Sequence, residues 1–193
     1  DSIKIPNATP EIIQFVMDFG QKYGYTFEHE ATYEKMCLGN DAVYIAKYKD
    51  GKHAGEWTAT GAQFAVPYVF KTLFSKTPLV FEDYCETKTV SKGVLYLDMD
   101  ENLPEGEHDY HFVGRAGLFT PIRKGKGGGV LYRKQNDKYY SATGTKGYRW
   151  LESEMVKGLG KENDIDDSYH KKLVEEAIAA INEYGDVDKF IAD

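Results

Sequence analysis

Apolar residues recur at helical spacing in three stretches of this chain and alternate with polar residues in several others, and that pattern predicts an α+β fold. Ser2 to Ile5 alternates like the end of a strand and is broken by Pro6-Asn7. Thr9 can then cap a helix, with Pro10 in its first turn and Glu11 near its positive end. Ile12, Ile13, Val16, Phe19 and, less regularly, Tyr23 form a stripe expected to pack inward until Gly20 and Gly24 weaken and end the helix. Tyr25 to Leu38 reads as a strand, Gly39-Asn40-Asp41 as a turn and Ala42 to Tyr48 as a second strand, together a hairpin that Trp57 to Gly61 extends. Val66 to Phe74 has the spacing of a short helix opened by Pro67. Ser75 to Tyr110 is acidic and turn-rich, with a strand at Val94 to Leu97, and its composition marks a boundary. From Tyr110 to Trp150 short alternating runs and glycine clusters predict a small antiparallel β unit. Asp167 or Ser168 then caps a final helix whose stripe is Leu173, Ala177, Ala180 and Ile181.

Composition adds limits to this outline. With 193 residues, 41% apolar and 14% aromatic, the chain can bury a core without staples. No apolar run approaches the roughly 18 residues of a membrane helix. Cys37 and Cys85 give neither a disulfide framework nor a zinc quartet, and two reduced thiols predict a cytoplasmic protein. The start, Asp1-Ser2, has neither an initiator Met nor the layout of a signal peptide, so something upstream is expected to be missing.

Charge changes the picture most. Between Phe112 and Trp150, Arg115, Arg123, Lys124, Lys126, Arg133, Lys134, Lys138, Lys146 and Arg149 stand against Asp137 alone. That is +8 in a chain whose total is −7, which leaves −15 on the rest. Glycines and aromatics are interleaved with these cations, a mixture suited to a polyphosphate: cations neutralise phosphates, rings stack on bases, and glycines let backbone N–H groups approach. A solvated basic face on a β-rich domain would have the same composition.

The candidate motifs in this window are of unequal strength. Gly125-Lys126-Gly127-Gly128-Gly129 is not a Walker loop, since no Gly-Lys-Ser/Thr follows at the required spacing; a hairpin turn and a phosphate contact explain it equally. Thr143 to Trp150 is more suggestive, with small and hydroxylated residues around Lys146 and Arg149, although Trp150 fits a core position better than a stacking platform. Outside the window, Asp98-Met99-Asp100-Glu101-Asn102 lacks the glycine and glutamate that an EF-hand loop needs, and His108 and His111 read as solvated or hydrogen-bonded histidines. No nucleophile–base set is visible.

Asp1-Ser2, then a helix, then Tyr23-Gly24-Tyr25-Thr26-Phe27-Glu28-His29-Glu30 and Tyr33-Glu34-Lys35-Met36 leading to Tyr44-Ile45, resembles the palm of a family B DNA polymerase of the smaller phage type, directly after its Tyr-Gly-Asp-Thr-Asp-Ser motif. The resemblance is good over about residues 1–49 and thinner over 57–75. It implies that Asp1 is a catalytic metal ligand, one carboxylate of a site for two Mg2+ ions about 3.5–4 Å apart. The other metal-binding motif and the fingers helix are absent from this chain. The family's Lys-x-Tyr strand at the primer terminus is matched only at Tyr44, which Asp41, Ala42 and Val43 precede, leaving Lys47 or Lys49 to supply the primer-phosphate contact.

The resulting expectation is a partial palm sheet with a packed helix (1–75), an acidic connecting region (76–111), a basic β-rich thumb or insert module (112–150) and a C-terminal helical segment (151–193). Such a chain would be the C-terminal part of a DNA-directed DNA polymerase, inactive alone. Its partners would be primer–template DNA, the missing N-terminal part and, in the complete enzyme, a deoxynucleoside triphosphate. Tyr44 and Lys47 would lie near the primer, and Arg115, Arg123, Lys124, Lys126, Lys146 and Arg149 would contact phosphates. The alternatives are a nucleic-acid-binding module without catalytic ancestry and an interaction domain docking an acidic protein.

Overall fold

The structure is a computed structural model that describes residues 2–100, 103–104 and 107–193. Asp1, Glu101 and Asn102 therefore lie outside the described residues, and with them the metal ligand expected at Asp1. The protein is α+β, with three antiparallel sheets and, among the described residues, five α-helices including one near the C-terminus. No helix among them is long and apolar enough to cross a membrane. Two compact units are present, Asp1–Met36 with Ala46–Thr58, and Cys37–Ile45 with Ala59–Asp193.

In the first unit, helix α1 (Pro10–Lys22) starts where the cap signal puts it, with Thr9 Oγ1 accepting from the Ile12 N–H at 3.3 Å. Its expected inward stripe is a correction: Ile13 and Val16 are half-buried, but Ile12 is 40% exposed, Phe19 52% and Tyr23 58%, and Gly20 is the one buried residue of the helix. A side chain at Gly20 would place its Cβ 2.3 Å from the Phe27 ring, so the segment after the helix packs on that glycine and leaves the aromatic face outward. Along that face Phe15 stacks on Phe19 with centroids 6.0 Å apart, and Tyr23 packs tilted against Phe19 at 4.8 Å. Ser2 to Ile5 is irregular, and strand β1 (Tyr33–Asn40) begins eight residues later than the pattern predicts. With β2 (Val43–Tyr48) and β3 (Trp57–Thr60) it forms a sheet in the order β1-β2-β3, whose hairpin tip, Cys37–Ile45, belongs to the second unit.

The second unit holds a small barrel. Strand β6 (Tyr110–Gly114) turns at Arg115 into β7 (Ala116–Ile122), so one run of chain serves two sheets, ordered β10-β7-β4 and β6-β5-β8-β9. Here β4 is Glu86–Thr89, β5 Val94–Asp98, β8 Val130–Gln135, β9 Lys138–Ser141 and β10 Arg149–Glu152. A two-way backbone bridge between Gly129 and Trp150, both bonds 2.8 Å, links the start of β8 to β10 and closes the circuit β7/β6-β5-β8-β10. The composition boundary expected between 111 and 112 does not divide these sheets. Strands β4 and β5, which lie in the acidic 76–111 stretch, pair along β7 and between β6 and β8, so 112–150 is not a module of its own.

Alternation along β5 sets the two faces of the barrel wall. Leu95 and Leu97 point into a core with Phe119, Ile122, Leu131 and Trp150, while Tyr96 points outward. On that outer side Tyr110 and Tyr139 stack at 4.1 Å, with Tyr96 and Tyr132 standing edge-on to Tyr139 at 5.8 and 6.2 Å. Lys134 Nζ lies over Tyr96 and Tyr139 at 5.8 and 5.3 Å. Tyr132 and Tyr139 of the basic window are thus engaged with one another and with Tyr96 and Tyr110.

Helix α2 (Pro67–Phe70) continues as a π-turn over Lys71–Ser75, and α3 (Ser153–Gly158) follows β10 directly. Helix α4 (Asp167–Asn182) is capped by Asp166, one residue before the expected cap, and buries Ala177 and Ile181 of its predicted stripe. A short α5 (Val187–Ile191) ends the described fold. Both cysteines are unpaired; the Cys85 sulfur lies 3.2 Å from Thr120 Oγ1, and burial pushes its thiol pKa up.

His170 on α4 is fully buried among the rings of Tyr68, Tyr84 and Tyr169. Its Nε2 is 2.9 Å from the Tyr84 carbonyl and donates to it, while Nδ1 has no partner among the described residues. Burial pushes its pKa below the ordinary histidine range. The unfolded chain, with an ordinary pKa of about 6.5, therefore binds the proton first as pH falls, and stability is lost from there downward. Urea midpoints at pH 7.5 and 5.5 should show this loss in the native chain and a smaller one in His170→Phe, which keeps a ring but cannot be protonated. An equal loss in both would remove His170 as the cause.

Candidate nucleic-acid interface

The cations of the basic window divide largely by residue type, Lys134 being the lysine that the fold engages, 3.8 Å from Asp137 Oδ1 and over two tyrosine rings. Arg115 donates from Nη2 to the Ser91 carbonyl, and Arg123 to the Asn163 carbonyl at 2.7 Å and to Asp164 Oδ1 at 3.3 Å. Arg133 donates to Gln135 Oε1 at 2.8 Å and lies over the Tyr140 ring at 5.2 Å. Arg149 reaches two successive carbonyls, Gly127 at 3.0 Å from Nε and Gly128 at 2.7 Å from Nη2. A planar guanidinium with a fixed fork of donors suits this work, because it can bridge two acceptors without losing much further freedom. The side chains of Lys124, Lys126, Lys138 and Lys146 are exposed and make no bond or ion pair among the described residues. The arginines brace the fold; these lysines are left for solvent or a ligand.

The glycine run takes its shape from that bracing. Gly128 has φ +75°, and a Cβ on Gly129 would stand 2.4 Å from the Asp98 carbonyl oxygen, so β8 can begin there only with a glycine. Arg149 from one side and Lys161, whose Nζ donates to the Lys126 carbonyl at 2.7 Å, hold the turn. It is a braced turn that presents Lys124 and Lys126, and its N–H groups at Gly128 and Gly129 are buried with their residues. Trp150 is 0% exposed and donates Nε1–H to the Thr145 carbonyl at 3.1 Å, a core residue as its surroundings in the sequence suggest.

Lys146 lies in a different place, on the rim of an open pocket of about 590 Å3. The pocket is walled by β4, the loop 144–148, α4 and the turn 62–66, and it brings Lys88 and Lys172 to the same space as Lys146. Its acids are Glu86 and Glu176. Glu86 is already engaged: Tyr169 Oη donates to it at 2.5 Å and Lys88 Nζ at 2.8 Å. Lys88 also lies over the Trp150 ring at 5.2 Å, so it serves the barrel as well as the pocket. Burial and the Glu86 carboxylate together push the Tyr169 phenol far above the ordinary tyrosine range, and it stays a donor. Lys172 is 3.8 Å from Glu176 in a solvent-exposed i, i+4 pair, a weak contact that a phosphate can displace. The sequence reading missed Lys88, Lys172, Glu86 and Tyr169, which carry no local motif.

Of the residues expected near a primer, Tyr44 lies half-buried on β2. Lys47 is paired with Glu34 at 3.2 Å and lies 5.9 Å from the Trp57 ring centroid, its side chain only 14% exposed. Asp98, at the head of the acidic run, is fully buried and bonded to His108 Nδ1 at 2.6 Å. Among the described residues no group of three or more His, Cys, Asp or Glu side chains comes together as a metal site. Compared with known protein families, curated proteins and solved structures, the chain shows no significant match.

Proposed function

We propose that this chain is the C-terminal part of a family B DNA polymerase and that its own task is to hold primer–template DNA by the phosphate backbone. The observation that carries the reading is the division of labour among the cations: exposed lysines that make no bond among the described residues, mounted on turns that arginines and a buried tryptophan brace. Compact ammonium groups on fixed turns suit contacts that add affinity without reading sequence. The palm-like run over residues 1–49 supports the polymerase assignment.

In the complete enzyme Asp1 would hold Mg2+, which would activate the primer 3′-hydroxyl toward the α-phosphate of a deoxynucleoside triphosphate. The described residues contribute binding and orientation. Titrating the chain with primer–template and with single-stranded DNA between about 50 and 200 mM salt tests the reading. The log–log slope should be about −0.9 for each phosphate contacted on duplex and about −0.7 on single strands. Affinity that ignores ionic strength would refute phosphate binding.

A further inference from the structure

The 590 Å3 pocket is far larger than a single phosphate needs, and falls within the roughly 300–1,000 Å3 of small-molecule sites. Its lining combines two chemistries. The pocket is lined by Lys146 and Lys172 and by Gly144, and the N–H groups of Gly144 and Lys146 have no protein acceptor among the described residues. Gly144 has φ +74° and no side chain to obstruct approach; a Cβ there would stand 3.7 Å from Lys88 Nζ. Val66, Leu173 and Tyr148 line it as well, together with Gln63. The Gln63 amide makes no hydrogen bond among the described residues, and it offers donors and an acceptor like those along the edge of a base. Glu86 does not repel an anion as a bare carboxylate would, because Tyr169 and Lys88 already bind it.

We infer that this pocket binds one nucleoside monophosphate unit, its phosphate held by Lys146 and Lys172 and its base lodged against Tyr148 and Leu173 beside Gln63. Resting on the reading of the chain as a DNA binder, the inference gives the pocket a ligand that duplex contacts do not: a free nucleotide, or an unpaired nucleotide of a strand. Both sources share the chemistry. Aromatic contact with a base tolerates any sequence, and the lysine pair recognises the phosphate that every nucleotide carries.

Backbone amide shifts of the 15N-labelled chain, titrated separately with thymidine 5′-monophosphate, thymidine, inorganic phosphate, a short oligo-dT and a blunt duplex, test this. The monophosphate should shift amides in 62–66, 86–88, 144–148 and 169–176 saturably, and bind about tenfold or more tighter than inorganic phosphate or thymidine. Lys146→Glu should weaken it by about tenfold, and Gln63→Leu should erode the preference over inorganic phosphate. Oligo-dT giving the same pattern would identify the unpaired nucleotide of a strand as the source, and the monophosphate alone would identify a free nucleotide. Inorganic phosphate binding as tightly as the nucleotide, shifts scattered outside these segments, or no effect of either substitution would each overturn the inference. Salt-dependent duplex binding with a silent pocket would sink it while leaving the DNA-holding role intact; a filled pocket in a chain that ignores DNA would do the reverse.

Discussion

A chain carrying Lys124→Glu, Lys126→Glu and Lys146→Glu together is expected to lose most of its affinity for primer–template DNA while keeping its fold. Each of these side chains is exposed and bonded to nothing among the described residues, so each exchange alters the field around the protein rather than its packing. If each ammonium neutralises one duplex phosphate, the log–log salt slope should flatten by about 0.9 per lysine, close to 3 for the set. Fluorescence anisotropy across a salt series measures the slope, and urea unfolding checks that the fold survives. Arg149 gives the opposite signature. Removing its guanidinium strips the braces from the Gly127 and Gly128 carbonyls, so Arg149→Ala should first lower the urea midpoint. If the triple lysine variant binds with unchanged slope, DNA is held elsewhere.

Trp150→Ala is expected to be the most damaging single change to the fold. The indole is wholly buried in the barrel core, its ring edge-on to Tyr169 at 5.1 Å and to Tyr148 at 6.3 Å, with Lys88 over its face. Deleting it leaves a cavity that strands on every side cannot close, a loss of about 3–5 kcal/mol. Against the roughly 5–15 kcal/mol that separates a native domain from its unfolded chain, that is a large part of the whole. The urea midpoint should fall sharply with little change in the slope of the transition. Trp150→Phe should cost less, since it fills most of the space and sacrifices the bond to the Thr145 carbonyl. A native-like midpoint for Trp150→Ala would mean that the core closes without it.

Local signals in the sequence identify elements where one face is solvent and the other is core. Helix α4, β5 and β8 are legible for that reason, as is the start of α1 from Thr9 and Pro10. Strand β7 is not, because it is buried on both faces over Phe119–Ile122 and includes Gly117 and Pro121, which read as breakers. Pro121 is tolerated where its neighbour across the strand is Trp150 of β10. The stripe of α1 misleads because an apolar helix face announces that it wants cover, and does not say which surface supplies it.

The site divides in the same way. Excess positive charge between Phe112 and Trp150 is visible in composition, but arginine and lysine count alike there, and only the fold separates braces from free cations. Nor can spacing show that Lys88, Lys146 and Lys172 share one pocket, since that meeting depends on β4, a loop and a helix packing together.

The loop that carries Lys146 has one further property. Thr145, 3% exposed, is fastened inside it: its N–H and Oγ1 reach the Ala142 carbonyl at 3.3 and 2.6 Å, and its own carbonyl accepts from Tyr148 N–H at 3.3 Å and from the Trp150 indole. A flexible loop must surrender its conformational freedom when a ligand arrives, which weakens binding by about 0.5–1.5 kcal/mol for each side chain immobilised. Here the backbone beside Lys146 has surrendered it during folding. Only the lysine's own rotamers remain to be ordered, so a modest ammonium–phosphate contact can express most of its strength as affinity.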